Sequence, residues 1–139
     1  MNEPTVTFTG NLTSDVAIRF SPSGKAVASL TVACTPRRQD STGAWIDGAT
    51  VFWNCQAWGS LAENAADSLA KGARVLVTGR VKANVWTPTD GPNAGIEQKR
   101  LEVLVDELGP SLRFVTTKTI RTDRATATSV PEASDEAPF

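Results

Sequence analysis

Residues 51–86 read VFWNCQAWGSLAENAADSLAKGARVLVTGRVKANVW. Two runs of alternating side chains flank one amphipathic stretch, and this pattern decides the fold. Successive side chains of a strand point to opposite faces. In Val51–Trp58 one face reads Val51, Trp53, Cys55, Ala57, and the other Phe52, Asn54, Gln56, Trp58. In Arg74–Trp86 one face reads Val75, Val77, Gly79, Val81, Ala83, Val85, which is a core face. The opposite face reads Arg74, Leu76, Thr78, Arg80, Lys82, Asn84, Trp86. Between the runs, Ser60 to Gly72 predicts a helix. Ser60 followed by Glu63 is the spacing of a capping box, and Gly72 supplies a stop. Leu61, Ala65 and Leu69 form a narrow apolar stripe able to plug one end of a sheet.

Working outward, alternation also predicts strands over Val6–Leu12, Ala26–Cys34 and Gln98–Glu107. Ser21-Pro22-Ser23-Gly24, Asp40-Ser41-Thr42-Gly43 and the Pro- and Gly-containing stretch from Thr87 to Gly95 separate them. The expected class is mainly β: five strands with one helix between the third and fourth. That is the order of the OB-fold, a small Greek-key barrel, and it also fits other small α+β folds. The expected domain spans 1–112 and a tail spans 113–139. From Thr116 to Phe139 large apolar residues are few, too few to offset the entropy of ordering, so a disordered tail is expected.

Composition removes several function classes. The 139 residues contain 14 Lys plus Arg and 15 Asp plus Glu, for a net charge of −1. A uniformly basic nucleic-acid protein is excluded, whereas a basic face offset by acids elsewhere is not. His is absent, which removes the commonest general base and metal ligand. The two cysteines, Cys34 and Cys55, are too few for a disulfide scaffold or a thiolate zinc site. No catalytic acid–base pair and no Gly-rich phosphate loop opening a helix occurs, so neither an enzyme nor a cofactor is expected. The sequence has no 18-residue apolar run, and its first ten residues carry no leader pattern. A cytosolic protein without membrane contact is expected.

The two aromatic-polar faces carry the functional argument. Cations meet phosphates and aromatic rings stack on bases in single-stranded nucleic-acid grooves. Phe52, Trp58 and Trp86 alternate with Asn54, Gln56, Arg80 and Lys82 in that manner. The competing reading, a second small core or a subunit interface, suits aromatics, but a dry core excludes Lys and Arg. Arg37 and Arg38 stand in a long loop that also holds Trp45. This loop reads equally well as a solvated connection or as a cover over a nucleic-acid strand. Lys99 and Arg100 are further basic candidates. Cys55 shares the parity of Val51 and Trp53 and reads as a small buried hydrophobe.

These residues resemble the bacterial single-stranded DNA-binding protein family over nearly the whole chain. Val6-Thr7-Phe8-Thr9-Gly10-Asn11-Leu12 looks like the family's opening strand and turn. Arg19-Phe20-Ser21-Pro22-Ser23-Gly24 resembles its first hairpin, and Phe52 through Gly59 followed by Leu61-Ala62-Glu63 matches its aromatic strand entering the helix. Lys71-Gly72 through Gly79-Arg80-Val81 and Trp86-Thr87 match the next strand. The resemblance implies an OB-fold homotetramer with ssDNA wrapped around it, and base-stacking aromatics at Phe52, Trp58 and Trp86. Arg38 stands where some members carry a further stacking aromatic. The tail ends Asp135-Glu136-Ala137-Pro138-Phe139, with fewer acids and a shorter linker than is usual, which suits a secondary paralogue.

The expected function is sequence-independent binding and protection of ssDNA in replication, recombination and repair, in the cytoplasm at the nucleoid. The alternatives are an OB-fold module that binds protein or RNA. The tip residues Asp135, Glu136, Pro138 and Phe139 are expected to dock weakly on replication and repair proteins, the Phe in a pocket and the carboxylates at its basic rim.

Overall fold

The computed structural model describes residues 2–122. Eight strands and one helix follow in order: β1 (Thr5–Leu12), β2 (Ala17–Phe20), β3 (Ala26–Cys34), β4 (Arg37–Gln39), β5 (Trp45–Asp47), β6 (Val51–Trp58), α1 (Ser60–Ser68), β7 (Arg74–Trp86) and β8 (Gln98–Pro110). The five strands expected from alternation are β1, β3, β6, β7 and β8. With β2 they form one six-stranded sheet in the order β1-β7-β8-β6-β3-β2. A short pairing of Asn11 with Ala33 and Leu12 with Val32 joins β1 to β3 and closes the barrel. β6 and β8 run parallel through Cys55–Val103 and Gln56–Leu104, and the other neighbours in the sheet are antiparallel.

The barrel interior is filled by the predicted core parity. Leu30, Val32, Cys55, Ala57, Val75, Val77, Val103 and Val105 are buried in one cluster. α1 adds Ala62 and Ala65, and Leu69 follows just beyond it. Trp53 is half-buried and stacks on Phe8 with ring centroids 5.1 Å apart. Between β7 and β8 the backbones pass closely at Gly79, where an added Cβ would collide with the Leu104 carbonyl oxygen and lie 2.8 Å from Val103 Cγ1. Beside it the register slips. Thr78 pairs with Glu107 and Gly79 with Val105, so Asp106 is the extra residue of a β-bulge.

Several expectations are corrected. The helix is shorter than Ser60–Gly72, because the chain becomes extended at Leu69 (φ −118°, ψ 143°), whose side chain is buried. Gly72 (φ 89°) serves a separate turn after that point. The capping box does not form. Gly59 (φ 71°) is the N-cap and has no side chain with which to cap the helix. β6 turns so sharply into α1 that Ser60 is already helical, and the Gly59 carbonyl accepts from Glu63 N–H at 3.2 Å. The core face of β7 also stops early: Ala83 and Val85 are exposed, since the β7–β8 hairpin projects beyond the barrel from about Ala83 to Leu101. Val51 at the start of β6 is likewise exposed. β2 and the β4–β5 hairpin are additions to the expected plan. Of the tail, residues 113–122 carry neither helix nor strand, and the tip with Asp135, Glu136, Pro138 and Phe139 lies outside the described residues.

Candidate nucleic-acid interface

Register brings the two aromatic-polar strands onto one outer face of the barrel. Gln56 of β6 lies between Ser29 of β3 and Leu104 of β8, and Leu104 in turn pairs with Arg80 of β7. Moving along the strands, Thr31 pairs with Asn54, and Lys82 pairs with Glu102. Further on, Ala33 pairs with Phe52, Asn84 with Arg100 and Trp86 with Gln98. β8 therefore runs between the Phe52–Trp58 strand and the Arg80–Trp86 strand, and both present the predicted face outward.

The three expected aromatics stand clear of the core. Phe52 is 61% exposed, Trp58 39% and Trp86 41%. Trp58 is the most enclosed, opposite the fully buried Val27, which is itself opposite Arg19. Asn54 and Gln56 are half-buried between them. The Asn54 side-chain oxygen accepts from the Thr31 hydroxyl at 3.3 Å, which fixes its orientation.

The basic residues are not equivalent. Arg80 donates through Nη2 to Asp106 Oδ1 at 3.1 Å, so the carboxylate released by the bulge neutralises part of its charge. Arg37 donates through Nε to Asp47 Oδ1 at 3.1 Å and lies over the Trp45 ring, 5.5 Å from its centroid. Arg38 pairs in register with Ile46, on the other side of the β4–β5 hairpin from Arg37. Among the described residues, no carboxylate lies within ion-pair distance of Lys82 or Arg38.

Sequence reasoning left two residues of this face out of the site. Arg100, noted only as a further basic candidate, lies 5.7 Å from the centre of the Trp86 ring, and its Nη2 reaches Glu102 Oε2 at 3.4 Å. Glu102 is buried at 5% exposure although it shares the outward parity of Lys82. Alternation along β8 places Arg100 and Glu102 on one face, but only the β7–β8 register shows that Trp86 and Lys82 are their neighbours.

The cysteines take no part in this face. Both are free thiols, Cys55 buried and Cys34 half-buried. Burial pushes the Cys55 thiol up to about 12, with Cys34 a smaller contributor. Burial also raises Cys34, against an opposing pull from Arg74. Among the described residues no group of three or more His, Cys, Asp or Glu is placed to hold a metal ion. No helix of the described residues is long and apolar enough to cross a membrane.

Comparison with known proteins places this barrel in a family. Residues 3–111 match the model of the Single-strand binding protein family. The chain is 47% identical over 124 residues to a protein of Mycobacterium tuberculosis named Single-stranded DNA-binding protein, a match covering 88% of this chain and 73% of that one. It is 43% identical over 121 residues to Single-stranded DNA-binding protein 2 of Streptomyces coelicolor, covering 86% of this chain and 59% of the relative. The crystal structure of a small single-stranded DNA-binding protein from Streptomyces coelicolor matches the fold with a TM-score of 0.67 at 30% identity, over 81% of this chain and 97% of that one. With the match spanning every strand of the closed barrel, this chain belongs to the single-strand binding protein family.

Proposed function

We propose that this protein binds single-stranded DNA without sequence preference, and that bases stack on Phe52, Trp58 and Trp86. The observation that carries this reading is the exposure of three large aromatic side chains on one face, interleaved with Asn54, Gln56, Arg80 and Lys82. Exposed rings of this size are otherwise costly to leave in water. Every base offers a π-face, so stacking holds any sequence, while a duplex keeps those faces inside and is refused. Lys82, which has no competing carboxylate among the described residues, meets phosphate directly. Arg80 does so after exchanging Asp106, and Arg37 extends the basic surface along the hairpin, while Arg38, on the hairpin's other side, meets phosphate only where the strand passes around the hairpin. Asn54 and Gln56 satisfy base edges or sugar oxygens between the rings. The family relationship favours this reading over a protein-binding or RNA-binding module.

The binding unit is the domain 1–112, which assembles as a homotetramer so that a long strand wraps several barrels joined by symmetry. The protein acts in replication, recombination and repair in the cytoplasm, at the nucleoid. The tail 113–139 serves partners: Phe139 enters a pocket on a replication or repair protein, with Pro138 limiting the entropy lost on docking and Asp135 and Glu136 at a basic rim.

Salt-titrated binding to oligo-dT, oligo-rU and duplex DNA of equal length tests the reading. Tight oligo-dT binding, weaker rU binding and little duplex binding are expected. Equal affinity for duplex and oligo-dT would refute it.

A further inference from the structure

We propose that Trp45, on the β4–β5 hairpin, is a further base-stacking residue that carries the bound strand beyond Phe52. The proposal rests on the ssDNA reading above.

The hairpin is a continuation of β3 and β6. The β3–β6 pairing runs to Cys34–Val51, after which the Thr35 and Thr50 hydroxyls meet at 2.7 Å. Gly48 N–H then donates to the Pro36 carbonyl at 2.7 Å, and pairing resumes as Arg37–Asp47, Arg38–Ile46 and Gln39–Trp45. Two residues, Gly48 and Ala49, therefore stand opposite the single Pro36, which is a bulge. Alternation from Ala33, which pairs with Phe52, passes through Thr35 to Arg37 on one side. The bulge brings Asp47 and Trp45 to that same side and sends Ile46, with Arg38, to the other. Without the extra residue, alternation from Phe52 would put Ile46 on the stacking side and Trp45 behind it.

Trp45 is built to present a ring. Its indole is 59% exposed, and the Arg37 guanidinium stacks over it at 5.5 Å while Asp47 holds that guanidinium from the side at 3.1 Å. The turn beyond is fixed by Asp40, whose Oδ1 accepts from Thr42 N–H at 2.8 Å, the Thr42 hydroxyl at 2.6 Å and Ala44 N–H at 3.0 Å. A guanidinium stack restrains the indole plane and adds positive charge beside it, and both suit a base with its phosphate. Seven residues of extended chain separate Trp45 from Phe52, roughly 20 Å along the strand. A strand confined to the β6–β7 face does not reach that far, whereas a longer one does.

The test measures affinity for a short and a long oligo-dT with the wild type, Trp45→Ala, Trp45→Phe and Trp86→Ala, alongside native mass spectrometry. Trp45→Ala should weaken binding of the long oligonucleotide about 5- to 150-fold, the range of one stacked base, and leave the short one within a factor of two. Trp45→Phe should retain most of the affinity, and Trp86→Ala should weaken both lengths. If Trp86→Ala weakens binding while Trp45→Ala is silent at both lengths, the proposal fails and the stacking face stands. If neither variant weakens binding, both readings fail. Equal weakening of the two lengths by Trp45→Ala, a loss with Trp45→Phe as large as with Ala, or a changed oligomeric mass would each overturn the proposal, the last by making Trp45 a contact between copies.

Discussion

The Arg100 guanidinium lies over the Trp86 indole, 5.7 Å from the ring centre. The cation is held there by Glu102, a buried carboxylate in the middle of a face proposed to take a polyanion. Glu102 thus spends the charge of Arg100 within the protein, and Arg100 keeps the Trp86 ring in place before any base arrives.

Neutralising that carboxylate should expose the competition. Glu102→Gln keeps the side-chain shape but releases Arg100 for phosphate. The slope of log affinity against log salt should steepen by about 0.7, the share of one phosphate neutralised on a single strand. Binding at low salt should tighten with it. A slope equal to that of the wild type would show that Arg100 never reaches the backbone.

Lys82 and Arg80 should differ in the same assay. Lys82 has no ion-pair partner among the described residues, so Lys82→Ala should make the slope shallower by about 0.7. Arg80 must leave Asp106 to reach a phosphate, so Arg80→Ala should have the smaller effect and Asp106→Asn should steepen the slope. The reverse ranking of the two alanine variants counts against this assignment.

Acid should loosen the β4–β5 turn. Asp40 sits below the ordinary carboxylate value of 3.8, chiefly because the Thr42 hydroxyl donates to it, with backbone N–H groups adding to the effect. A depressed folded value means that the stabilisation is fully present above about pH 4 and is lost as pH falls through the lower folded value. The Thr42 and Ala44 amide signals should therefore hold their positions from neutrality to pH 4 and shift only in stronger acid. In Asp40→Asn, which does not titrate, that acid transition should vanish. A transition persisting in the Asn variant would place the titration elsewhere.

Stability should depend on the barrel more than on the stacking face. Gly79→Ala forces a Cβ against the Leu104 carbonyl at a buried crossing, and overpacking of this kind costs about 1–3 kcal/mol. Thermal unfolding should show a clear drop in Tm for Gly79→Ala and a smaller change for Phe52→Ala, whose ring is already mostly in water. Equal drops would mean that the Phe52 ring belongs to the core.

The barrel was legible because its five strands are long enough for alternation to show, and because Phe52, Trp58 and Trp86 each break a polar face where an aromatic has no local reason to stand. β2, β4 and β5 escaped because three or four exposed residues carry no alternation signal. The sides of Arg37, Arg38 and Trp45 were illegible for a different reason: the extra residue at Gly48–Ala49 reverses parity on the return strand, and nothing in the sequence marks it. Burial of Glu102 depends on the β7–β8 register across a long connection, with a bulge at Asp106, so its neighbours could not be counted out. The end of α1 was misread because Gly72 looks like a stop, while burial of Leu69 ends the helix earlier.

The central claim is that exposed rings on one face hold the bases. It is tested most directly by titrating oligo-dT into the wild type, Phe52→Ala, Trp58→Ala and Trp86→Ala at a series of salt concentrations, with circular dichroism confirming the fold. Each truncation should weaken binding by about 1–3 kcal/mol with the salt slope unchanged, since no cation is removed. Affinities within a factor of two of the wild type for all three folded variants would contradict the account.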